Sequence, residues 1–114
     1  MDISKRLKNI TGKVILVDVD QTLTVGNDCW TIEDCLVAEP NREVIAKINK
    51  LYFTNFIVLW TARRDKLIPV TIQWARKNGV CFHAISNHKC ACDLMIDDKA
   101  VRPDELVGGE AEKV

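Results

Sequence analysis

Neither charge dominates this sequence: 16 Lys and Arg stand against 16 Asp and Glu, for a formal net charge of zero. That balance argues against a general nucleic-acid binder, which would be clearly basic, while leaving room for a local basic patch. No apolar run approaches the roughly 18 residues needed to cross a bilayer. The opening stretch, MDISKRLKNITGK, lacks the apolar segment of a secretion signal. These absences lead us to expect a cytoplasmic protein with no membrane partner. There is no internal repeat, no low-complexity stretch and no linker. The five cysteines are an odd number, so they cannot all pair within one chain, and in a cytosolic protein they are expected as reduced thiols. What is present fits one domain spanning residues 1–114: 47% of residues are hydrophobic and 28% charged.

The order of elements points to an α/β fold. Residues 1–12 read as a short polar helix or arm ending near Gly12. Val14–Val17 is a continuous run rich in β-branched residues, as in a strand buried on both faces of a parallel sheet. Residues 21–40 lack periodicity and read as a loop or small flap. Val44, Ile48, Leu51 and Tyr52 have helical spacing, with Pro40 and Asn41 suited to the helix start. Phe56–Trp60 predicts a second strand. A second helix is expected from about Asp65, as N-cap, to Asn78, closed by Gly79. Val80–Ile85 and Leu94–Ile96 predict two further strands. Pro103 would begin a last turn or helix, and residues 108–114 read as a polar tail. The alternation predicts a three-layer, Rossmann-like parallel sheet flanked by helices, with the first strand central.

Polar residues of interest sit at strand ends. Asp18 and Asp20 follow the first strand, Thr61 the second, and Asp97 and Asp98 the fourth. In an open parallel sheet those ends share one edge, where ligands bind. Four carboxylates brought together repel and call for a cation among them. Their hard oxygens suit Mg²⁺, whose usual companions are phosphates.

Asp18-Val-Asp20-Gln-Thr22-Leu-Thr24, then Thr61 after Val58-Leu-Trp60, then Lys89, then Met95-Ile-Asp97-Asp98 resemble, in order, the four motifs of haloacid dehalogenase (HAD) superfamily phosphatases. The likeness runs from residue 13 to about 103. It implies that Asp18 is the nucleophile and Asp20 the general acid/base. It implies that Asp18, the Asp20 carbonyl and Asp97 hold Mg²⁺, with Asp98 beside them. Thr61 and Lys89 would bind phosphoryl oxygens, with Lys99 a competitor for the lysine role, and Thr22 would also face substrate. Gln21 stands where the family usually has Gly, so a positive φ there would strain the turn. No cap domain has room in the chain. The site should be open, suiting a bulky phosphorylated substrate or closure by a second subunit. The ending Ile96–Pro103 resembles small capless members linked to surface-polysaccharide biosynthesis, which brings sugar phosphates to mind. An Ile-Asp-Asp signature also occurs in polynucleotide 3′-phosphatase domains.

Other readings compete. Arg63, Arg64 and Arg102 lie beside the motifs and suit a second anionic group, but Arg63 and Arg64 also read as a solvated surface pair. Thr61 could cap the second helix. Cys90 and Cys92, with Cys29, Cys35, His83 and His88, allow a zinc cluster, although CxC is tighter than usual zinc spacing. Trp60 and Trp74 read as core, and Trp30 lies in the flap. A phosphoreceiver domain would put its phosphorylated Asp mid-chain, yet no Asp occurs between residues 66 and 92. A HAD-like module that binds phosphates without hydrolysing them is the remaining non-enzyme alternative.

Overall fold

A computed structural model describes residues 10–26, 29–88, 90–97 and 101–103. The first strand, β1 (Val14–Asp18), is central to a five-stranded sheet. It is flanked by β4 (Phe56–Trp60) and β6 (Leu94–Ile96), with β5 (Ala84–Ser86) and β7 (Val101–Pro103) at the edges. Four strands run parallel, and β7 is antiparallel to β6. The parallel strands match the expectation from the apolar runs. Ile15 and Val17 of β1, Ile57 and Leu59 of β4, and Leu94 and Ile96 of β6 face one core. Leu16, Val58 and Met95, one residue out of phase, face the other. A strand buried on both faces has no polar alternation to show, so its sequence reads as an unbroken apolar run.

Helix α2 (Arg42–Tyr52) connects β1 to β4 through the flap, and α3 (Ile68–Lys77) connects β4 to β5. Asn41 caps α2, its side-chain oxygen accepting from Val44 N–H at 3.3 Å. Ile45, Ile48 and Leu51 of α2 join Trp74 and Ala75 of α3 on the same core. The chain steps in one direction from β1 to β4 to β5, so two right-handed crossovers put both helices on one face. The expected third layer is therefore not seen among the described residues; Cys90 and Cys92 lie against the other face.

Three boundaries differ from expectation. Helix α3 is preceded by a 3₁₀ turn, Asp65–Leu67, and Asp65 does not cap it; its carboxylate accepts instead from Asn87 Nδ2 at 2.5 Å. β5 starts at Ala84 rather than Val80. Val80 N–H closes the helix end by donating to Ala75 O at 2.9 Å, and Cys81 N–H donates to Asn49 Oδ1 at 2.8 Å, so neither can enter the ladder. Gly79, at φ +74°, makes the left-handed exit. Pro103 ends an edge strand, where a missing N–H is tolerated. Of the expected arm or helix over residues 1–12, residues 1–9 lie outside the described residues and 10–12 are not helical; the expected tail over 108–114 also lies outside them.

Residues 21–40 hold a two-residue hairpin, β2 (Thr24–Val25) with β3 (Glu39–Pro40), and a short helix, α1 (Ile32–Val37). Thr31 caps α1 by accepting from Asp34 N–H at 3.1 Å. Cys29 and Cys35 anchor this flap on Leu67 and Val70. Trp74 Nε1 ties α3 to it by donating to Ala38 O at 2.8 Å. Among the described residues, no helix is long and apolar enough to cross a membrane.

Candidate functional site

The carboxyl ends of β1, β4 and β6 form one edge of the sheet. The ladders pair Asp18 with Trp60 and Val17 with Ile96, so Asp97 is the next residue beside Asp18. After Asp18 the chain makes a wide turn, Val19–Leu23, closed by Thr24 N–H donating to Val19 O. Gln21 takes φ +63°, the left-handed conformation that a side chain disfavours. Thr24 Oγ1 holds it by accepting from Gln21 N–H at 3.0 Å. This turn brings Asp20 back over the end of β4.

Asp20 is held from several sides. Arg63 Nη2 donates to its Oδ1 at 2.8 Å, and Arg63 Nε lies 3.2 and 3.3 Å from its two oxygens. Thr61 Oγ1 donates to Oδ2 at 3.2 Å. Arg63 is braced in turn: its Nη1 donates to Thr71 Oγ1 at 2.8 Å, and Thr71 donates to Leu67 O at 2.7 Å. The Arg63 side chain is only 3% exposed and that of Asp20 17%. Burial opposes the guanidinium charge, but the hydrogen bonds and negative charge of Asp20 outweigh it and raise the Arg63 pKa. Arg63 is therefore not the solvated residue that one sequence reading allowed. Its Nε and Nη2 engage the Asp20 carboxylate, and it lines the pocket beside it.

A pocket of about 430 Å³ opens over this edge. Asp18, Asp20, Gln21, Trp60, Ala62 and Arg63 form its sheet side; Cys29 and Trp30 come from the flap, and Arg64, Lys66 and Leu67 from the segment before α3. Asp18, Asp20, Arg63 and Arg64 were candidates from the sequence, and they do meet here. Thr61 is fully buried, its hydroxyl committed to Asp20 and to Arg63 N–H at 3.1 Å, so it braces Asp20 and caps no helix. Thr22 is buried too; it is not among the described residues that line the pocket, and its hydroxyl has no partner among the described residues. Lys89, Asp98 and Lys99 lie outside the described residues, as does the side chain of Arg102.

Lys66, Leu67 and Thr71 were not singled out from the sequence, and Cys29 was considered there only as a zinc ligand. Burial raises the Cys29 thiol to about 11, against a lowering from Arg63, with Cys35 and Asp20 adding to the rise. Cys35 is raised for the same first reason. Both are inert thiols packed under the flap. The zinc reading fails on placement. Cys29 and Cys35 pack in the flap, whereas Cys90 and Cys92 lie on the far sheet face. His83 is stacked between Tyr52 and Phe56 at 4.2 and 4.8 Å, its Nδ1 accepting from Ile57 N–H. Among the described residues, no three His, Cys, Asp or Glu gather as a metal centre. Among the described residues, the carboxylates on neighbouring strand ends that could hold a cation are Asp18 and Asp97. Such hard oxygens, few in number, fit Mg²⁺, which keeps several of its waters, and do not fit zinc.

No protein-family model and no curated protein matches this chain. Among solved structures it is similar to a chain of the "Structure of Pnkp1/Rnl/Hen1 complex", with a TM-score of 0.59 and 17% identity. The match covers 87% of this chain and 33% of that one, so this chain spans about a third of its length. At that identity the likeness is one of fold: an α/β domain with a four-stranded parallel sheet and Rossmann-like strand order.

Proposed function

We propose that this chain is a HAD-type, Mg²⁺-dependent phosphatase that hydrolyses a phosphate monoester through an aspartyl phosphate on Asp18. The observation that carries this reading is the pairing of Asp18, at the end of the central strand, with an Asp20 fixed by Arg63 and Thr61 on the wall of the same pocket. Two carboxylates with different surroundings at one site suit two different chemical roles.

Asp18 attacks phosphorus, and Asp20 gives a proton to the departing alkoxide oxygen. Asp20 then takes a proton from the water that attacks the aspartyl phosphate, releasing inorganic phosphate and restoring Asp18. Asp18, the Asp20 carbonyl and Asp97 would hold Mg²⁺, with Asp98 beside them, and the ion would offset the repulsion between carboxylate and phosphate. Thr61 and Lys89 remain the proposed phosphoryl ligands. For Thr61 that role requires its hydroxyl to turn away from Asp20. The reading includes a cytoplasmic setting, in keeping with five free thiols.

Hydrolysis of p-nitrophenyl phosphate tests it. Turnover should require Mg²⁺, stop with EDTA, and vanish in Asp18→Asn while the far-ultraviolet circular dichroism is unchanged. An Asp18→Asn protein with a near-normal rate would remove Asp18 as nucleophile. A wild-type protein that turns over no phosphate ester would favour a non-catalytic phosphate-binding module.

A further inference from the structure

Beyond the two reacting carboxylates, the pocket has a lopsided wall. On the flap side stands Trp30, 77% exposed. The flap does not need Trp30 for its packing, because Cys29 and Cys35 carry that contact. Its backbone is fixed on both sides nonetheless, by buried Cys29 before it and by the Thr31 cap after it. A large ring presented to a pocket from an anchored segment is a ready stacking surface. Arg64 and Lys66 line the same pocket, both exposed, and neither has a carboxylate partner among the described residues. Arg63, by contrast, is committed to Asp20. These two cations are thus extra to the reacting centre. Among the described residues, Gln21 is the wall's only neutral side chain of the amide or hydroxyl kind. A polyhydroxylated sugar would find few partners there, whereas a flat ring and an anion would each find one. The volume, about 430 Å³, lies within the range of small-molecule sites, roughly 300–1,000 Å³.

We propose that this pocket is a nucleotide subsite, in which Trp30 stacks on the base of the phosphate ester and Arg64 with Lys66 holds a second phosphate. This rests on the phosphatase reading for which phosphate reacts, but not for whether nucleotides bind. The shared chemistry is a planar heteroaromatic ring with two phosphates, present both in a free nucleoside 3′,5′-bisphosphate and in the 3′-phosphorylated end of a single strand.

The test is binding to the full chain in EDTA, by calorimetry and tryptophan fluorescence. The probes are inorganic phosphate, glucose 6-phosphate, a nucleoside monophosphate, a nucleoside 3′,5′-bisphosphate and a short 3′-phosphorylated oligothymidylate. The bisphosphate should bind at least tenfold tighter than glucose 6-phosphate and quench the exposed indole. Trp30→Ala should weaken nucleotides about 5- to 150-fold more than it weakens inorganic phosphate, and Trp30→Phe should restore most of that loss. Replacing Arg64 and Lys66 by Ala together should erase the preference for the bisphosphate over the monophosphate. Tighter binding of the oligonucleotide would identify a strand end as the source; equal or weaker binding would identify the free nucleotide. Glucose 6-phosphate binding as tightly as the nucleotides, or an equal loss for every probe in Trp30→Ala, overturns the proposal. Turnover of p-nitrophenyl phosphate is scored separately. A protein that binds nucleotides and hydrolyses nothing keeps this inference and loses the phosphatase reading; the converse result does the reverse.

Discussion

Replacing Arg63 by Met probes the contact on which the candidate site depends. Met fills much of the same space without charge or donors. It removes three contacts to Asp20 and one to Thr71. Thr71 keeps Leu67 O as a partner, but Asp20 keeps only Thr61 among the described residues. Stranding one member of a fully buried ion pair costs about 3–5 kcal/mol. The Asp20 side chain is 17% exposed and so retains a path to water. The expected loss is therefore lower, about 2–3 kcal/mol. In urea this should move the midpoint down by about 1–2 M with an unchanged slope. A double-mutant cycle identifies the cause. If the cost is a stranded carboxylate, adding Asp20→Asn to Arg63→Met should restore about 1–2 kcal/mol, making the double variant more stable than Arg63→Met alone. An Arg63→Met protein within about 0.5 kcal/mol of wild type, or strictly additive losses, would refute the reasoning.

Two further outcomes follow from strain and from burial. Gln21→Gly should be as stable as wild type or more stable by up to about 1 kcal/mol, because relief of the left-handed backbone outweighs the added freedom of the unfolded chain; Gln21→Val should lose about 1–2 kcal/mol, and urea unfolding of the pair checks the order. The Cys29 thiol is raised from 9.0 to about 11, so the folded state holds its proton more tightly than the unfolded chain. That contribution is complete below pH 9 and is lost as pH rises toward 11, with a slope of at most about 1.4 kcal/mol per pH unit for one group. Urea midpoints measured over this range should fall less steeply in Cys29→Ala than in wild type.

Strands were the most legible part of the fold. Phe56–Trp60 and Leu94–Ile96 have the expected limits because a doubly buried strand needs apolar residues on both faces, and few other elements do. The third strand starts later than expected because Val80 is apolar as part of the core at the end of α3, while the N–H groups of Val80 and Cys81 are taken by Ala75 O and Asn49 Oδ1. The short helix in the flap was missed for want of periodicity, since six residues give under two turns. Its signal was the capping pattern, Thr31 followed three residues later by Asp34, which is local and does not depend on length.

The role of Arg63 was hidden more deeply. Arg63 and Arg64 are adjacent and chemically identical, and in extended chain adjacent side chains leave on opposite sides. One must turn in and the other out, but nothing in the pair itself says which. The deciding residue lies elsewhere. Thr71 sits on the stripe of α3 that also carries Trp74 and Ala75, so its hydroxyl is carried into the interior. A buried hydroxyl needs partners. Leu67 O, one turn back, can satisfy its proton, which leaves its lone pairs for a donor arriving from outside the helix. The segment between β4 and α3 offers cations at residues 63, 64 and 66, and the one that reaches Thr71 is also the one that can reach back over β4 to Asp20. A threonine on a helix's core stripe, a short segment rich in cations, and an acid at the end of the neighbouring strand together specify a buried bridge from α3 to the sheet edge. Each part is visible in the sequence, but the bridge exists only once β1 and β4 lie side by side.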